Sequence, residues 1–270
     1  DMVKEREALK NKKRIVIKIG SSSLTHPETG DLNMRKIEKL VRIISDLRGE
    51  GREVVLVSSG AIAAGRQALG FTERPKEIAQ KQAFAAVGQA RLMMVYQKLF
   101  AEYNQTAAQI LMTKNTMINK ESRFNARNTF DELLKLGTVP IVNENDTVSV
   151  SELKFGDNDC LASLLVNLTG ADLFVNLTSS PGVLAADPQR EPDAPVMEHI
   201  DDVAALDLGQ LCGGKTSVGT GGMYSKLLAA RRAAQIGVPT LILPGRAPDV
   251  LSRAFAAGAG SGATPIPGTW

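Results

Sequence analysis

This sequence has few of the residues that mark metal-bound or disulfide-linked proteins. Its two cysteines, Cys160 and Cys212, lie at no metal-ligand spacing, and both histidines are far from them. We therefore expect neither a zinc site nor a disulfide framework. No apolar run approaches membrane-spanning length, and the charged first residues do not resemble a secretory signal. These features predict a cytoplasmic protein.

An excess of charge of one sign is also missing. The 32 basic and 29 acidic residues leave a net charge of +3, so the sequence predicts neither a nucleic-acid nor a membrane partner. No Ser-His-Asp or Cys-His set is apparent, which disfavours chemistry through a side-chain nucleophile. With 43% hydrophobic residues, the chain can still bury a sizeable core.

Apolar patterning predicts strands and helices that alternate along the chain. Such alternation is typical of an α/β fold around a mainly parallel sheet, with no evident linker between domains. Strands are predicted at residues 14–19, 53–57, 107–112, 138–142, 173–177 and 240–243. Helices are predicted at residues 34–47, 78–103, 125–136, 160–168, 201–211, 224–236 and 248–257.

The segment at residues 143–159 concentrates polar chemistry directly after a predicted strand. It holds five carboxylates and three side-chain amides. Open α/β sheets bind small molecules at the carboxyl ends of their strands, which favours a ligand site here. A solvated acidic loop is the alternative, and Asp157 could equally cap the helix that follows.

Two lysines accompany turns of small residues. Lys18 precedes Gly20 after the first strand, and Lys226 follows the glycines at 219–222 at a predicted helix start. Backbone amides, a helix dipole and an ammonium group at such turns can converge on phosphate oxygens. Together with Asp159, the two lysines form a plausible set for phosphoryl transfer. An edge-strand lysine and a surface lysine are the alternatives.

Two formal motif matches are rejected. Residues 209–216 fit the P-loop pattern, but the segment before them has a helical pattern and more loop follows them. A calcium loop that starts at Asp157 would need glycine where Ala162 lies and glutamate where Leu168 lies.

Five short motifs follow one another along most of the chain. They are Ile-Lys-Ile-Gly-Ser-Ser at 17–22, Ser-Ser-Gly-Ala-Ile-Ala-Ala-Gly at 58–65, Asn-Glu-Asn-Asp at 143–146, Gly-Asp-Asn-Asp at 156–159 and Gly-Thr-Gly-Gly-Met-x-x-Lys at 219–226. Together they resemble the motifs of glutamate 5-kinases, which belong to the amino-acid kinase superfamily. The resemblance implies a three-layer α/β/α sandwich around a mainly parallel open sheet. It also implies an N-terminal extension at 1–12, a kinase domain at 13–257 and a flexible tail at 258–270.

The resemblance further implies a reaction and its partners. It implies ATP-dependent phosphorylation of the γ-carboxylate of L-glutamate to γ-glutamyl phosphate, the first step of proline biosynthesis. Mg²⁺ would bridge the phosphates of ATP, and proline would be a feedback inhibitor. A homo-oligomer, either dimer or tetramer, and the downstream glutamyl-phosphate reductase would be the protein partners.

Site residues also follow from the resemblance, with glutamate bound by the N-terminal half and ATP by the C-terminal half. The catalytic residues would be Lys18, Lys226 and Asp159. Glutamate would contact Ser59, Gly60, Ala61, Asn143, Asp146, Asp157 and Asn158. ATP would contact Lys18, Gly20, Thr178, Ser179, Thr220, Gly221, Gly222, Met223, Tyr224, Ser225 and Lys226.

Two departures from the family pattern leave alternatives open. Thr178-Ser179 stands where Thr-Asp is expected, so the way in which that loop would contact ATP is left open. The sequence also ends without the additional C-terminal domain of many bacterial members, which fits a short-form enzyme or part of a longer protein. A kinase for acetylglutamate or aspartate, and a catalytically silent domain that senses glutamate or proline, are the competing hypotheses.

Overall fold

The computed structural model describes residues 9–148, 158–179, 222–245 and 264–266. Helices and strands alternate through these residues. In chain order they are β1 (Arg14–Ile19), α1 (Met34–Gly49), β2 (Glu53–Ser58), α2 (Ala61–Leu69), α3 (Ile78–Glu102), β3 (Ala107–Met112), α4 (Lys114–Ile118), α5 (Lys120–Lys135), β4 (Val139–Glu144), α6 (Asn158–Thr169), β5 (Leu173–Thr178), α7 (Met223–Gln235), β6 (Thr240–Pro244) and β7 (Thr264–Ile266).

The backbone divides into two compact units. One comprises residues 1–18 and 156–270, and the other comprises residues 19–155. We refer to them as the split unit and the central unit. The prediction that the two halves of the chain bind different substrates assigns glutamate mainly to the central unit and ATP mainly to the split unit.

In the central unit, β3, β4 and β2 lie side by side in that order, and both neighbouring pairs are parallel. All six residues of β4 are buried, which explains its continuous apolar start. The register pairs Val57 of β2 with Val142 of β4. Since β2 and β4 are parallel, the turn after β2 and the polar end of β4 lie side by side at the carboxyl ends of the strands.

Helices α2 and α3 of the central unit pack at unusually short range. A Cβ atom added to Gly88 would lie 1.5 Å from the carbonyl oxygen of Ala61, and one added to Gly65 would lie 1.9 Å from that of Phe84. Only glycine fits at these two positions. The crossing therefore fixes the start of α2 against α3.

In the split unit, β1, β5, β6 and β7 lie side by side in that order. Strands β5 and β6 are parallel, and β7 runs antiparallel to β6. Helices α6 and α7 contact each other and also β5. Both helices bury apolar side chains, among them Leu165 of α6 and Leu227 of α7. This packing places the first turns of both helices over the sheet.

The structure confirms the predicted α/β class and the mainly parallel strands, but it differs in detail. The helix predicted at 125–136 begins at Lys120, because the Asn119 side chain accepts a hydrogen bond from Ser122 N at 3.0 Å and caps it. The helix predicted to begin at Cys160 begins two residues earlier, at Asn158. The helices predicted at 201–211 and 248–257 lie outside the described residues.

Within the tail predicted at residues 258–270, the structure describes only Thr264–Ile266, which form β7 and pair with β6. The predicted bounds of the extension, the kinase domain and the tail stay predictions. Composition rich in glycine, proline and small residues gave no strand signal. The backbone groups of a sheet edge nevertheless recruit a short strand through hydrogen bonds that depend little on side chains.

No helix among the described residues combines the length and the apolar character needed to cross a membrane.

Candidate active site

Asp159 is the centre of an ion cluster in the split unit. It lies in the first turn of α6 and has no exposed surface. Its Oδ1 lies 2.9 Å from Nζ of Lys18 in β1, and its Oδ2 lies 3.1 Å from Nζ of Lys226 in the first turn of α7. The start of a helix favours a carboxylate at this position. The structure thus brings together three residues that are far apart in the sequence.

Each oxygen of the Asp159 carboxylate also accepts a hydrogen bond from a neutral side chain. Asn176 Nδ2 donates to Oδ1 at 3.0 Å, and Ser225 Oγ donates to Oδ2 at 3.2 Å. Among the described residues, each carboxylate oxygen therefore faces an ammonium group and a neutral donor. This arrangement fixes the rotation of the carboxylate about its own axis.

Burial decides how strongly these charges interact. The side chains of Lys18 and Lys226 are 3% and 7% exposed, so solvent and salt screen them far less than surface ion pairs. Removing three charged groups from water opposes the gain from their attraction. Such a cluster contributes little net stability, and its physical effect is to hold charged groups in fixed positions.

The predicted nucleotide-binding residues are partly described. Gly222 is the N-cap residue of α7 and has no side-chain cap, and half-buried Met223, Tyr224 and Ser225 form the first turn with Lys226. Thr178 is buried at the end of β5, and Ser179 after it is exposed. Thr220 and Gly221 lie outside the described residues. In the central unit, Gly20 is half-buried just after β1.

In the central unit, the turn from β2 to α2 carries three predicted glutamate contacts. Gly60 is the N-cap of α2 and has a φ of 110°, a left-handed conformation that glycine adopts without strain. Half-buried Ser59 precedes it, and buried Ala61 begins the helix. The sharp turn directs the first amide groups of α2 along the helix axis, where they favour a negatively charged ligand.

A buried tyrosine supports this turn. The hydroxyl of Tyr96 lies 2.7 Å from Ser58 Oγ, which itself donates to the carbonyl oxygen of Ser59 at 2.9 Å. Because the Ser58 proton is used in that bond, Tyr96 is the donor to Ser58. Burial raises the pKa of Tyr96, and the hydrogen bond with Ser58 opposes that shift. The phenol is therefore neutral and can donate.

The polar end of β4 supplies two more predicted contacts. Asn143 is buried, its Nδ2 donates to Gln89 Oε1 at 3.0 Å, and its Oδ1 accepts from Glu144 N at 2.9 Å. Gln89 Nε2 in turn donates to Gln109 Oε1 at 3.0 Å. This chain of amides fixes which way the Asn143 side chain points. Asp146 is half-buried two residues after β4 ends.

Of the remaining predicted glutamate contacts, Asn158 is buried as the first residue of α6 in the split unit. Asp157 lies outside the described residues, so its two interpretations, helix cap and ligand, stay predictions.

Sequence reasoning missed Asn176, Gln89 and Gln109. Asn176 carried a signal, because it is the one amide within β5, whose six residues are all buried. Gln89 and Gln109 carried none, because glutamines on a helix and on a strand are ordinary surface residues.

Metal ligands are scarce in the part of the chain that the structure describes. Those residues contain no group of three or more His, Cys, Asp or Glu side chains that could hold a metal ion. Cys160 is a free thiol whose Sγ lies 2.7 Å from Arg232 Nη1. These residues do not form a protein cage for Mg²⁺, which commonly reaches a kinase on substrate phosphates.

Comparison with known proteins identifies relatives. The amino acid kinase family model matches residues 13–244. The chain is 57% identical over 248 residues to a glutamate 5-kinase of Nitratidesulfovibrio vulgaris (strain DP4), which covers 92% of this chain and 65% of that protein. It is 54% identical over 264 residues to the glutamate 5-kinase of Oleidesulfovibrio alaskensis, covering 98% of this chain and 67% of that protein. The chain thus spans about two thirds of the length of these relatives.

Solved structures share the fold at low sequence identity. A carbamate kinase from Giardia lamblia bound to AMP-PNP superposes with a TM-score of 0.64 at 16% identity, over 96% of this chain and 99% of that one. A UMP kinase from Ureaplasma parvum superposes with a TM-score of 0.60 at 17% identity, over 95% of this chain and 99% of that one. These likenesses confirm the three-layer α/β/α class. The chain belongs to the amino acid kinase family, and within it its curated relatives are glutamate 5-kinases.

Proposed function

We propose that this chain transfers the γ-phosphoryl group of ATP to the γ-carboxylate of L-glutamate. The products would be γ-glutamyl phosphate and ADP, and the reaction would begin proline biosynthesis. One observation carries the proposal: Asp159 holds the ammonium groups of Lys18 and Lys226 on its two oxygens. The names of the curated relatives agree with it.

The chemistry requires no side-chain nucleophile. A γ-carboxylate oxygen of glutamate attacks the γ-phosphorus, and the bond from that phosphorus to the β–γ bridging oxygen breaks. Negative charge develops on the leaving oxygen while the transferred group keeps its own. Lys18 and Lys226 would stabilise this charge, and Asp159 would hold both in place before the reaction begins.

Substrate selection would fall mainly to the central unit. The amide groups of Gly60 and Ala61 suit a carboxylate of glutamate, because they lie at a helix N-terminus. Ser59 would contact glutamate through its side chain, because its amide group donates to the carbonyl oxygen of Ile19. Asp146 suits the ammonium group of an amino acid, and Asn143 has an orientation fixed by its amide neighbours. The family resemblance adds Asn158 and Asp157 to the proposed glutamate contacts.

Nucleotide binding would involve the first turn of α7. Residues 220–226 would contact the phosphates of ATP, with Thr178, Ser179 and Gly20 as further contacts. Mg²⁺ would enter bound to ATP and would neutralise part of the phosphate charge. Ser179 replaces the aspartate expected there, so we propose backbone rather than carboxylate contacts at this position.

The direct test is a hydroxamate-trapping assay with ATP, Mg²⁺ and glutamate. An acyl phosphate reacts with hydroxylamine, so γ-glutamyl phosphate would be trapped as the hydroxamate. Lys226→Ala is the control, and its signal should fall by about a hundredfold or more, as for loss of a preorganised charge in other enzymes.

Other outcomes of the same assay would contradict the proposal. Trapped product with aspartate or acetylglutamate, but none with glutamate, would identify a kinase for another small acid. Proline or glutamate binding by calorimetry, without turnover of any acid, would identify a silent sensing domain.

The remaining partners are proposals that rest on the family resemblance. Proline would compete with glutamate, which a shift of the glutamate saturation curve by added proline would test. A homo-oligomer would appear as a dimer or tetramer mass in light scattering. A glutamyl-phosphate reductase would consume the acyl phosphate in the cytoplasm, where ATP is available.

A further inference from the structure

The polar residue inside β5 has no role in the strand itself. Asn176 has no exposed surface, and all six residues of its strand are buried. Its backbone pairs with Ile242 of β6, as any residue would at that position. An apolar side chain would meet the needs of the sheet at lower cost.

The amide of Asn176 is only partly satisfied. Its Nδ2 donates to Asp159 Oδ1 at 3.0 Å. Its Oδ1 is buried and has no hydrogen-bond partner among the described residues. Burying an acceptor in this way destabilises a protein, and buried groups of this kind in native proteins commonly have a functional reason.

That reason lies in the ion cluster. Lys18 and Asn176 both donate to Oδ1 of Asp159, whereas Lys226 and Ser225 both donate to Oδ2. Lysine side chains are flexible and their ammonium groups accept many geometries, but an amide on a central strand is rigid. The Asn176 side chain has fewer rotatable bonds than either lysine. Unlike Ser225, which lies in the first turn of α7, Asn176 is held within a buried strand.

We propose that Asn176 is a positioning residue that holds the Asp159 carboxylate so that each oxygen faces one lysine. The inference rests on the proposed function, since it assigns the purpose of that orientation to phosphoryl transfer. Without Asn176 the carboxylate can rotate, and both ammonium groups then spend part of their time away from the positions that stabilise transferred charge.

The test compares wild type with Asn176→Leu, which replaces the amide by a side chain with the same number of heavy atoms. Hydrogen bonds to charged groups are worth enough to lower kcat by about tenfold to a hundredfold. The KM for glutamate should change by less than about twofold. The melting temperature should change little, because removal of the unsatisfied oxygen offsets the loss of the hydrogen bond to Asp159. A structural role alone would instead lower the melting temperature and leave kcat intact.

The matched control is Thr240→Val in the neighbouring strand. Thr240 is also fully buried, and its Oγ1 likewise has no partner among the described residues. The substitution Thr240→Val removes a buried polar atom of β6 without removing a donor to Asp159, so kcat should stay within about twofold of wild type. If Asn176→Leu fails to fold, Asn176→Ala, which adds no atoms, takes its place.

Crystal structures of wild type and variant separate this inference from the proposed function. A rotated Asp159 that has lost one lysine contact in the variant would support positioning, even if wild type phosphorylated no glutamate. An unchanged Asp159 with kcat within about twofold of wild type would overturn it, as would an equal loss of kcat in Thr240→Val.

Discussion

The charge of Asp159 can be tested separately from its size by the substitution Asp159→Asn. The variant keeps the shape of the side chain and removes the negative charge that Lys18 and Lys226 share. Both ammonium groups are nearly inaccessible to solvent. Neither can therefore recover its hydration without moving the surrounding helices.

The structure sets the size of the effect. At an effective dielectric constant of about 20, contacts of 2.9 and 3.1 Å correspond to about 6 and about 5 kcal/mol of attraction before desolvation. Both ammonium groups touch one carboxylate, so they lie within about 8 Å and repel by at least about 2 kcal/mol. Breaking a buried pair by removing one partner commonly costs about 3–5 kcal/mol. We expect a loss of that size in Asp159→Asn.

Lys18→Met should lose less, because the Asp159–Lys226 contact and the Asn176 hydrogen bond remain. Urea unfolding followed by circular dichroism would measure both variants against Asp46→Asn, a carboxylate change at an exposed position of α1. The control should stay within about 0.5 kcal/mol of wild type. A loss below about 1 kcal/mol in Asp159→Asn, or a larger loss in Lys18→Met, would refute this account of the cluster.

Three further predictions concern the central unit. Asp146→Ala should raise the KM for glutamate about tenfold with a smaller change in kcat, and unchanged steady-state kinetics would place the substrate elsewhere. Gly88→Ala should lower the free energy of unfolding by about 3 kcal/mol or more, because the added methyl falls 1.5 Å from a carbonyl oxygen; Gly49→Ala in open space should not lower it. Tyr96→Phe should cost about 1 kcal/mol at neutral pH by loss of the bond to Ser58. Since burial raises the pKa of Tyr96, wild type should lose stability above about pH 10, where unfolded tyrosine ionises, and urea titrations should show the variant converging with it.

The sequence predicted the fold class because strand and helix periodicities alternate without ambiguity over most of the chain. It located helix boundaries less well. Asn119 caps α5 before its apolar pattern begins, so periodicity placed the start at 125 instead of Lys120. The strand β7 depends on backbone pairing with β6, which no side-chain pattern encodes.

The sequence predicted which residues belong to the candidate site better than it predicted their arrangement. Small-residue turns and acidic clusters identified Lys18, Asp159 and Lys226 as chemically interesting, and the family resemblance assigned their roles. Their mutual distances follow only from the three-dimensional packing of β1, α6 and α7. Asn176 was missed although it is the one amide within an apolar strand, because the sequence does not show that folding brings this amide to Asp159. Those predicted roles stay predictions until the variants are measured.

The crossing of α2 and α3 has a consequence for engineering. Because the Ala61 carbonyl occupies the space that a side chain at Gly88 would need, the two helices cannot slide past each other by small steps. A displacement of α3 therefore moves the turn at Gly60 with it, because Gly88 is in direct contact with the backbone of Ala61. Substitutions that shift the packing of α3 on other elements would therefore change that turn without altering any residue of the turn itself.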